Sequence, residues 1–298
     1  MVVNIGVKLN SSRAAVIAIS LKPLKDVLVN LKYRDPQYLA VRRLASAFDF
    51  NVASLLVVLN GIISYQLGIP GEKYWLEFAD FFSKAGDVNA ELFKSFLVEA
   101  RCTRLLSQKL ERVKRVLSSD LAVRLLEDGL LYCSNLRVLV SELARLLRSK
   151  TTSKTILFAT KMYGYLCDLA GAEPNYADIP IPVDYRNAIL SLTSCIVEDC
   201  RGKDSIEECA VVLTTTKYAK YVQEAWSTVC SHLSTPCLLL DVFTWLFVGK
   251  AIEANFKPRE AVKLFKRDYG IDVPVETAEQ LLECAERYVR STQTRNPS

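Results

Sequence analysis

The sequence predicts an all-α fold, and three observations carry that expectation. Half of the 298 residues are hydrophobic, while glycines number 11 and prolines 10, a balance that favours long helices over a turn-rich sheet protein. Apolar residues recur at three- and four-residue spacing along most of the chain. No segment shows the two-residue alternation that would assign a strand. The length accommodates two compact lobes or one large domain.

In chain order, Val16, Ile17, Leu21, Leu24, Val27 and Leu31 predict a helix over 12–31, kinked or broken at Pro23. Asp35 caps a second helix that starts at Pro36 and buries Tyr38, Val41, Leu44 and Ala45. Further helices are expected at 51–67, 72–85 and 88–116, with Gly68, Pro70 and Gly86 marking the breaks. Leucine spacing places helices at 120–131 and 135–148. The polar link Ser149-Lys150-Thr151-Thr152-Ser153 then leads into a helix that opens at Lys154. Helix, tight basic hairpin and helix together present backbone N–H groups and a helix N-terminus to a phosphate, with Arg148 and Lys150 as candidate contacts. The Pro-rich stretch 174–184 holds the chain extended, and Asp184 caps the helix that follows. A polar insertion at 201–208, helices at about 205–232 and 237–253, and two more over 258–291 around Gly270 complete the chain. The tail from Ser291 is expected to be disordered.

Composition narrows the function classes. A single histidine, His232, argues against histidine-based catalysis and most metal sites. The net charge of +5 permits a polyanionic partner without demanding one. Two stretches, 52–67 and 238–248, approach membrane hydropathy. Asn60, Ser64 and Gln66 interrupt the first and Asp241 the second, so both read as buried helices rather than membrane spans. Nine cysteines without a signal peptide predict an intracellular protein with mostly reduced, buried thiols. Cys195, Cys200, Cys209 and Cys230 are spaced too unevenly for an iron–sulfur cluster. Cys200 and Cys209 bracket the polar insertion and could pair in a hyperthermophile protein. Among the basic residues, Arg101, Arg104, Lys109, Arg112, Lys114 and Arg115, mixed with Glu111, read as a solvated helix face.

Chemistry concentrates on a lysine and an aspartate. Lys154 opens Lys154-Thr155-Ile156-Leu157-Phe158-Ala159-Thr160-Lys161, and Asp184 lies near the end of the stiff Asp178-Ile179-Pro180-Ile181-Pro182-Val183-Asp184-Tyr185-Arg186. An amine and a carboxylate brought together are what imine chemistry at a sugar carbon requires, because a neutral amine attacks and an anion steadies the cation that develops. Lys154, Phe158 and Lys161 share a helix face; taken alone, that spacing also describes two surface lysines around a core phenylalanine. Asp241 and Trp245 share another face, or are a satisfied buried carboxylate beside a core tryptophan. A buried carboxylate is costly without a partner, which makes Asp241 a candidate site residue. Asp184 could be an N-cap alone.

Five patches, Arg34-Asp35-Pro36-Gln37-Tyr38, Leu59-Asn60-Gly61-Ile62-Ile63-Ser64-Tyr65, the Lys154 to Lys161 run, Asp178 to Arg186, and Leu240-Asp241 with Trp245, resemble the archaeal 8-oxoguanine DNA glycosylase/lyase family, a divergent branch of the helix-hairpin-helix glycosylases. The match runs in patches from about 34 to 250, and the block from Asp178 to Arg186 is its most specific part. The N-terminal twenty residues, the insertion and the C-terminal end depart from it, and the hairpin lacks the glycine signature of commoner helix-hairpin-helix proteins.

The resemblance implies an all-α, two-lobed helix-hairpin-helix DNA glycosylase with its active-site cleft between lobes. Residues 1–70 with 175–298 would form a discontinuous lobe, and 71–174 the other, with the helix-hairpin-helix at about 136–166. It implies a bifunctional enzyme of base excision repair that flips out 8-oxoguanine, excises it through a Lys154 Schiff base assisted by Asp184, and cleaves the strand by β-elimination. Gln37, Trp75, Phe158, Lys161, Asp241 and Trp245 would form the base pocket. No metal or cofactor is required. The partner would be DNA containing 8-oxoguanine rather than a membrane, and the enzyme is expected to be a monomer in the cytoplasm or nucleoid. The alternatives are a glycosylase for another damaged base and a non-catalytic helical DNA-binding protein.

Overall fold

The structure, a computed structural model, describes residues 6–198 and 205–287. The helices are α1 (Ser11–Leu21), α2 (Lys25–Asn30), α3 (Pro36–Ala47), α4 (Phe50–Ile63), α5 (Gly71–Ala85), α6 (Ala90–Glu99), α7 (Leu106–Leu117), α8 (Asp120–Glu127), α9 (Leu136–Leu146), α10 (Lys154–Leu169), α11 (Tyr185–Thr193), α12 (Ile206–Leu213), α13 (Ala219–Leu233), α14 (Cys237–Glu253), α15 (Pro258–Tyr269) and α16 (Val275–Leu282). Two-residue strands β1 (Lys8–Leu9) and β2 (Val197–Glu198) pair antiparallel. They are the only strands among the described residues, too short to leave a period in the sequence.

The all-α expectation holds, with breaks that periodicity alone did not place. The expected helix at 88–116 is two, α6 and α7, because Arg101 and Leu105 take left-handed φ values of 56° and 55° and turn the chain between them. Pro23 breaks the first helix as expected, so that α1 and α2 flank a 3-10 turn at Lys22–Leu24. The segment expected to be helical over 205–232 splits into α12 and α13 around 214–218.

The chain forms two compact units, Met1–Leu31 with Asp178–Ser298, and Lys32–Ala177. Residues 32–70, expected with the discontinuous lobe, belong to the second unit because α4 packs along α10 and α3 packs between α5 and α10. α4 is apolar all round and buried at every position from Ala53 to Ile63, the pattern of a central helix. A Cβ at Gly61 would lie 2.5 Å from Ala159 Cα, so only glycine lets α4 and α10 approach this closely. In the other unit α14 is the central helix, buried from Cys237 through Thr244 and packed against α11 and α15. No single helix among the described residues is long and apolar enough to cross a membrane. Only α13 and α14 together reach the length, and they bend by 110°.

The thiols are not mostly reduced. Cys133–Cys167, Cys195–Cys284 and Cys230–Cys237 are disulfides with Cα separations of 5.6, 5.7 and 5.5 Å, the range a bridge requires. Pairing across 34 and 89 residues is invisible to sequence spacing because it depends on how helices pack. The pairing of Cys200 with Cys209 lies outside the described residues.

Candidate active site

In the Lys32–Ala177 unit the site is built on α10. Lys154 is its first residue and is exposed; Phe158 lies one turn on and is half-buried. Lys161, on the same face, is only 3% exposed and its ammonium sits 5.3 Å from the Phe158 ring centroid, a cation–π contact strengthened by burial. Lys161 is therefore not the surface lysine that the spacing permitted. Trp75, from α5, meets Phe158 edge-on at 5.8 Å. Its indole N–H is buried without a hydrogen-bond partner, which costs about 1 to 3 kcal/mol when nothing accepts from it.

Asp35 and Gln37 enter from the start of α3. Asp35 caps the helix, its Oδ1 accepting from the Gln37 backbone N–H at 2.8 Å while Oδ2 accepts from the Tyr165 hydroxyl at 2.8 Å. Burial raises the Asp35 carboxyl above the usual carboxylate range; the Lys161 cation and the hydrogen bonds from Gln37 and Tyr165 pull the other way. Gln37 itself is 4% exposed. The segment read as a solvated basic face is partly internal. Lys109 is fully buried, donates to the Cys102 carbonyl at 3.0 Å and lies over the Tyr65 ring. Burial lowers its pKa. Arg112 stacks on the same ring and donates to Thr155 Oγ1 at 2.9 Å, beside Lys154.

The hairpin joins α9 to α10. Ser149 N–H donates to the Ala144 carbonyl at 2.8 Å, and the Ser149 and Ser153 hydroxyls are 2.7 Å apart. Arg148 takes φ 50°, the left-handed position at a helix end where glycine is usual. Arg148 and Lys150 are both exposed.

In the other unit, Asp184 caps α11, accepting from the Asn187 N–H at 2.8 Å. Asp241, 3% exposed on α14, accepts from Asn187 Nδ2 at 2.7 Å. Trp245, one turn on, carries the Arg186 guanidinium at 4.1 Å from its ring centroid, so one indole face is occupied.

A family model described as "AGOG: N-glycosylase/DNA lyase" matches residues 18–281. The chain belongs to this N-glycosylase/DNA lyase family. It is 30% identical over 258 residues to the N-glycosylase/DNA lyase of Pyrobaculum aerophilum, covering 84% of this chain and 93% of the relative. It is 36% identical over 237 residues to that of Methanopyrus kandleri, covering 78% and 88%. A crystal structure of the Pyrobaculum aerophilum 8-oxoguanine DNA glycosylase, complexed with 8-oxoguanosine, superposes with a TM-score of 0.67 at 24% identity over 86% of this chain and 97% of that one, which shows the shared helical fold.

Of the residues singled out from sequence, this member of the N-glycosylase/DNA lyase family groups Trp75, Phe158 and Lys161 in one unit, with Gln37 beside Asp35 on α3. It groups Asp184, Asp241 and Trp245 in the other, joined through Asn187 and its neighbour Arg186. Asn187, Thr244 and Arg112 were missed. Asn187 stands three residues after a helix cap and Thr244 three after Asp241, spacings that place each on its neighbour's face. Nothing in the sequence links Arg112 to Thr155.

Proposed function

We propose that this protein is a bifunctional DNA glycosylase and abasic-site lyase that removes 8-oxoguanine from DNA. The observation that carries the reading is family membership over residues 18–281 in a chain that keeps an exposed lysine at the first position of α10. In this reading the neutral Lys154 amine attacks C1′ of the lesion nucleotide. The C1′–N9 bond breaks, the base leaves with the bonding pair and takes up a proton, and Asp184 steadies the positive charge that develops at the sugar. The amine loses its protons as the sugar ring opens to an imine. Abstraction of a C2′ proton then expels the 3′ phosphate and breaks the strand.

The lesion differs from guanine by an N7–H donor and a C8 carbonyl. The unpartnered Trp75 N–H suits that carbonyl. Gln37 or a main-chain carbonyl suits N7–H, an acceptor that would face the lone pair of ordinary guanine and go unsatisfied. Asp241 accepts from N1–H and the exocyclic amine, and Phe158 and the Trp245 face opposite Arg186 stack the base, worth about 1 to 3 kcal/mol per base. Arg148 and Lys150 contact phosphates. The enzyme acts as a monomer where the cell keeps its DNA.

Borohydride reduction of the imine tests this directly. The parent protein is expected to become covalently bound to a duplex containing 8-oxoguanine. Lys154→Gln should lose both trapping and incision while still binding the duplex, and Asp184→Asn should slow both severely. Efficient trapping by Lys154→Gln would move the nucleophile elsewhere, with Lys161→Gln as the comparison. A panel of damaged bases separates the other-lesion alternative, and absence of release on all of them would leave a DNA-binding protein.

A further inference from the structure

Asn187 sits at the third position of α11, is 1% exposed, and touches Asp184 and Asp241, the two candidate site carboxylates of its unit. Its backbone N–H donates to Asp184 Oδ1 at 2.8 Å. Its side-chain NH2 donates to Asp241 Oδ1 at 2.7 Å and to the Pro182 carbonyl at 2.9 Å. Its side-chain oxygen accepts from the Thr244 hydroxyl at 2.7 Å. This arrangement determines which way the amide points. Turned over, the amide would set its oxygen against a carboxylate and a carbonyl, and no donor would remain for either, a buried mismatch that hydrogen-bonded interiors avoid.

We propose that Asn187 is a positioning residue for base recognition: its amide, held in one orientation by Thr244, fixes the Asp241 carboxylate so that it faces the Watson–Crick edge of the extruded purine. This rests on the reading of Asp241 as a base contact. A carboxylate on a helix samples several side-chain rotamers, and a misdirected one cannot accept two hydrogen bonds from a planar edge. The Asn187 side chain serves recognition, while its main chain serves the cap on Asp184. One residue thereby ties the segment carrying the catalytic carboxylate to the helix carrying the specificity carboxylate. Removal of the side chain leaves the cap in place.

The two roles predict a split that a scaffold role would not give. Base release is measured under single turnover on a duplex with one 8-oxoguanine, and strand incision on the same duplex with an abasic site, which has no base to recognise. Asn187→Ala should slow base release by about 10- to 100-fold while abasic-site incision falls by less than about threefold. Thr244→Val keeps the shape and removes the hydroxyl, which reaches the Asn187 amide oxygen at 2.7 Å and also the Asp241 main-chain carbonyl at 3.0 Å. It should show the same split with a smaller loss of about three- to tenfold. A parallel fall of both reactions in these variants, or unchanged base release, would overturn the proposal. Asp241→Asn in the same assay distinguishes the two levels. If it too leaves release unchanged, the base-contact reading of Asp241 fails; if it alone impairs release, only the role of Asn187 fails. Should Asn187→Ala not fold, Thr244→Val decides by itself whether release and incision separate.

Discussion

Lys154 and Lys161 share a helix face and differ in every physical respect that matters. The first is exposed at the positive end of α10; the second is buried under Phe158 with Asp35 close enough to act on it electrostatically. Asp35 also makes a testable contribution of its own. Its carboxyl, raised by burial above 3.8, binds a proton more tightly in the folded state than in the unfolded one. The stability it contributes is therefore full below the unfolded value and lost as pH rises through the folded value. Asp35→Asn cannot titrate, so the melting temperature of the parent minus that of the variant should fall as pH rises above the unfolded carboxyl value of about 3.9. A difference that rises with pH over that range would mean that Lys161 outweighs desolvation.

At the scale of elements, the hairpin between α9 and α10 is the proposed phosphate contact. Arg148 occupies a left-handed position that commonly takes glycine, so the usual signature is absent although the turn is made. Its exposure and that of Lys150 suit phosphate contacts, each of which releases a counterion. Arg148→Ala with Lys150→Ala should weaken binding to damaged and undamaged duplexes alike. It should also reduce the slope of log affinity against log salt by about 2. Binding measured by anisotropy across a salt series checks this, and an unchanged slope would remove the hairpin from the phosphate interface. The basic residues of α7 behave otherwise. Lys109 and Arg112 are committed to Tyr65, Cys102 and Thr155, so substituting them should affect folding or the α10 terminus before it affects salt dependence.

For the molecule as a whole, the disulfides differ in how much chain they close. Cys195–Cys284 closes an 89-residue separation and joins the end of α11 to the region after α16, where the Cys284 N–H also donates to the Thr193 carbonyl at 2.8 Å. Cys230–Cys237 closes only 7 residues between α13 and α14. Chain-entropy arguments assign about 4 to 5 kcal/mol to the long bridge and about 2 kcal/mol to the short one. Replacing Cys195 and Cys284 by serine should therefore lower the thermal midpoint more than replacing Cys230 and Cys237. Calorimetry that ranked them the other way would show that the unfolded chain is not what these bridges constrain.

Sequence by itself determined the helical class, because apolar spacing and sparse Gly and Pro are local properties that survive in any packing. It also determined the family, through short blocks such as Asp178 to Arg186, and nominated Lys154, Asp184 and the aromatic and acidic pocket candidates. Asp241 was flagged because an acid in an apolar helix needs a partner, but the partner's identity was not legible: Asn187 is 54 residues away. Tertiary structure alone decided that Lys161 is buried, that Arg112 reaches the α10 terminus, that residues 32–70 pack with α10, and which cysteines meet. Each of these depends on which helix faces lie together, and that is set by close packing between distant segments such as Gly61 against Ala159 rather than by the period of any one of them.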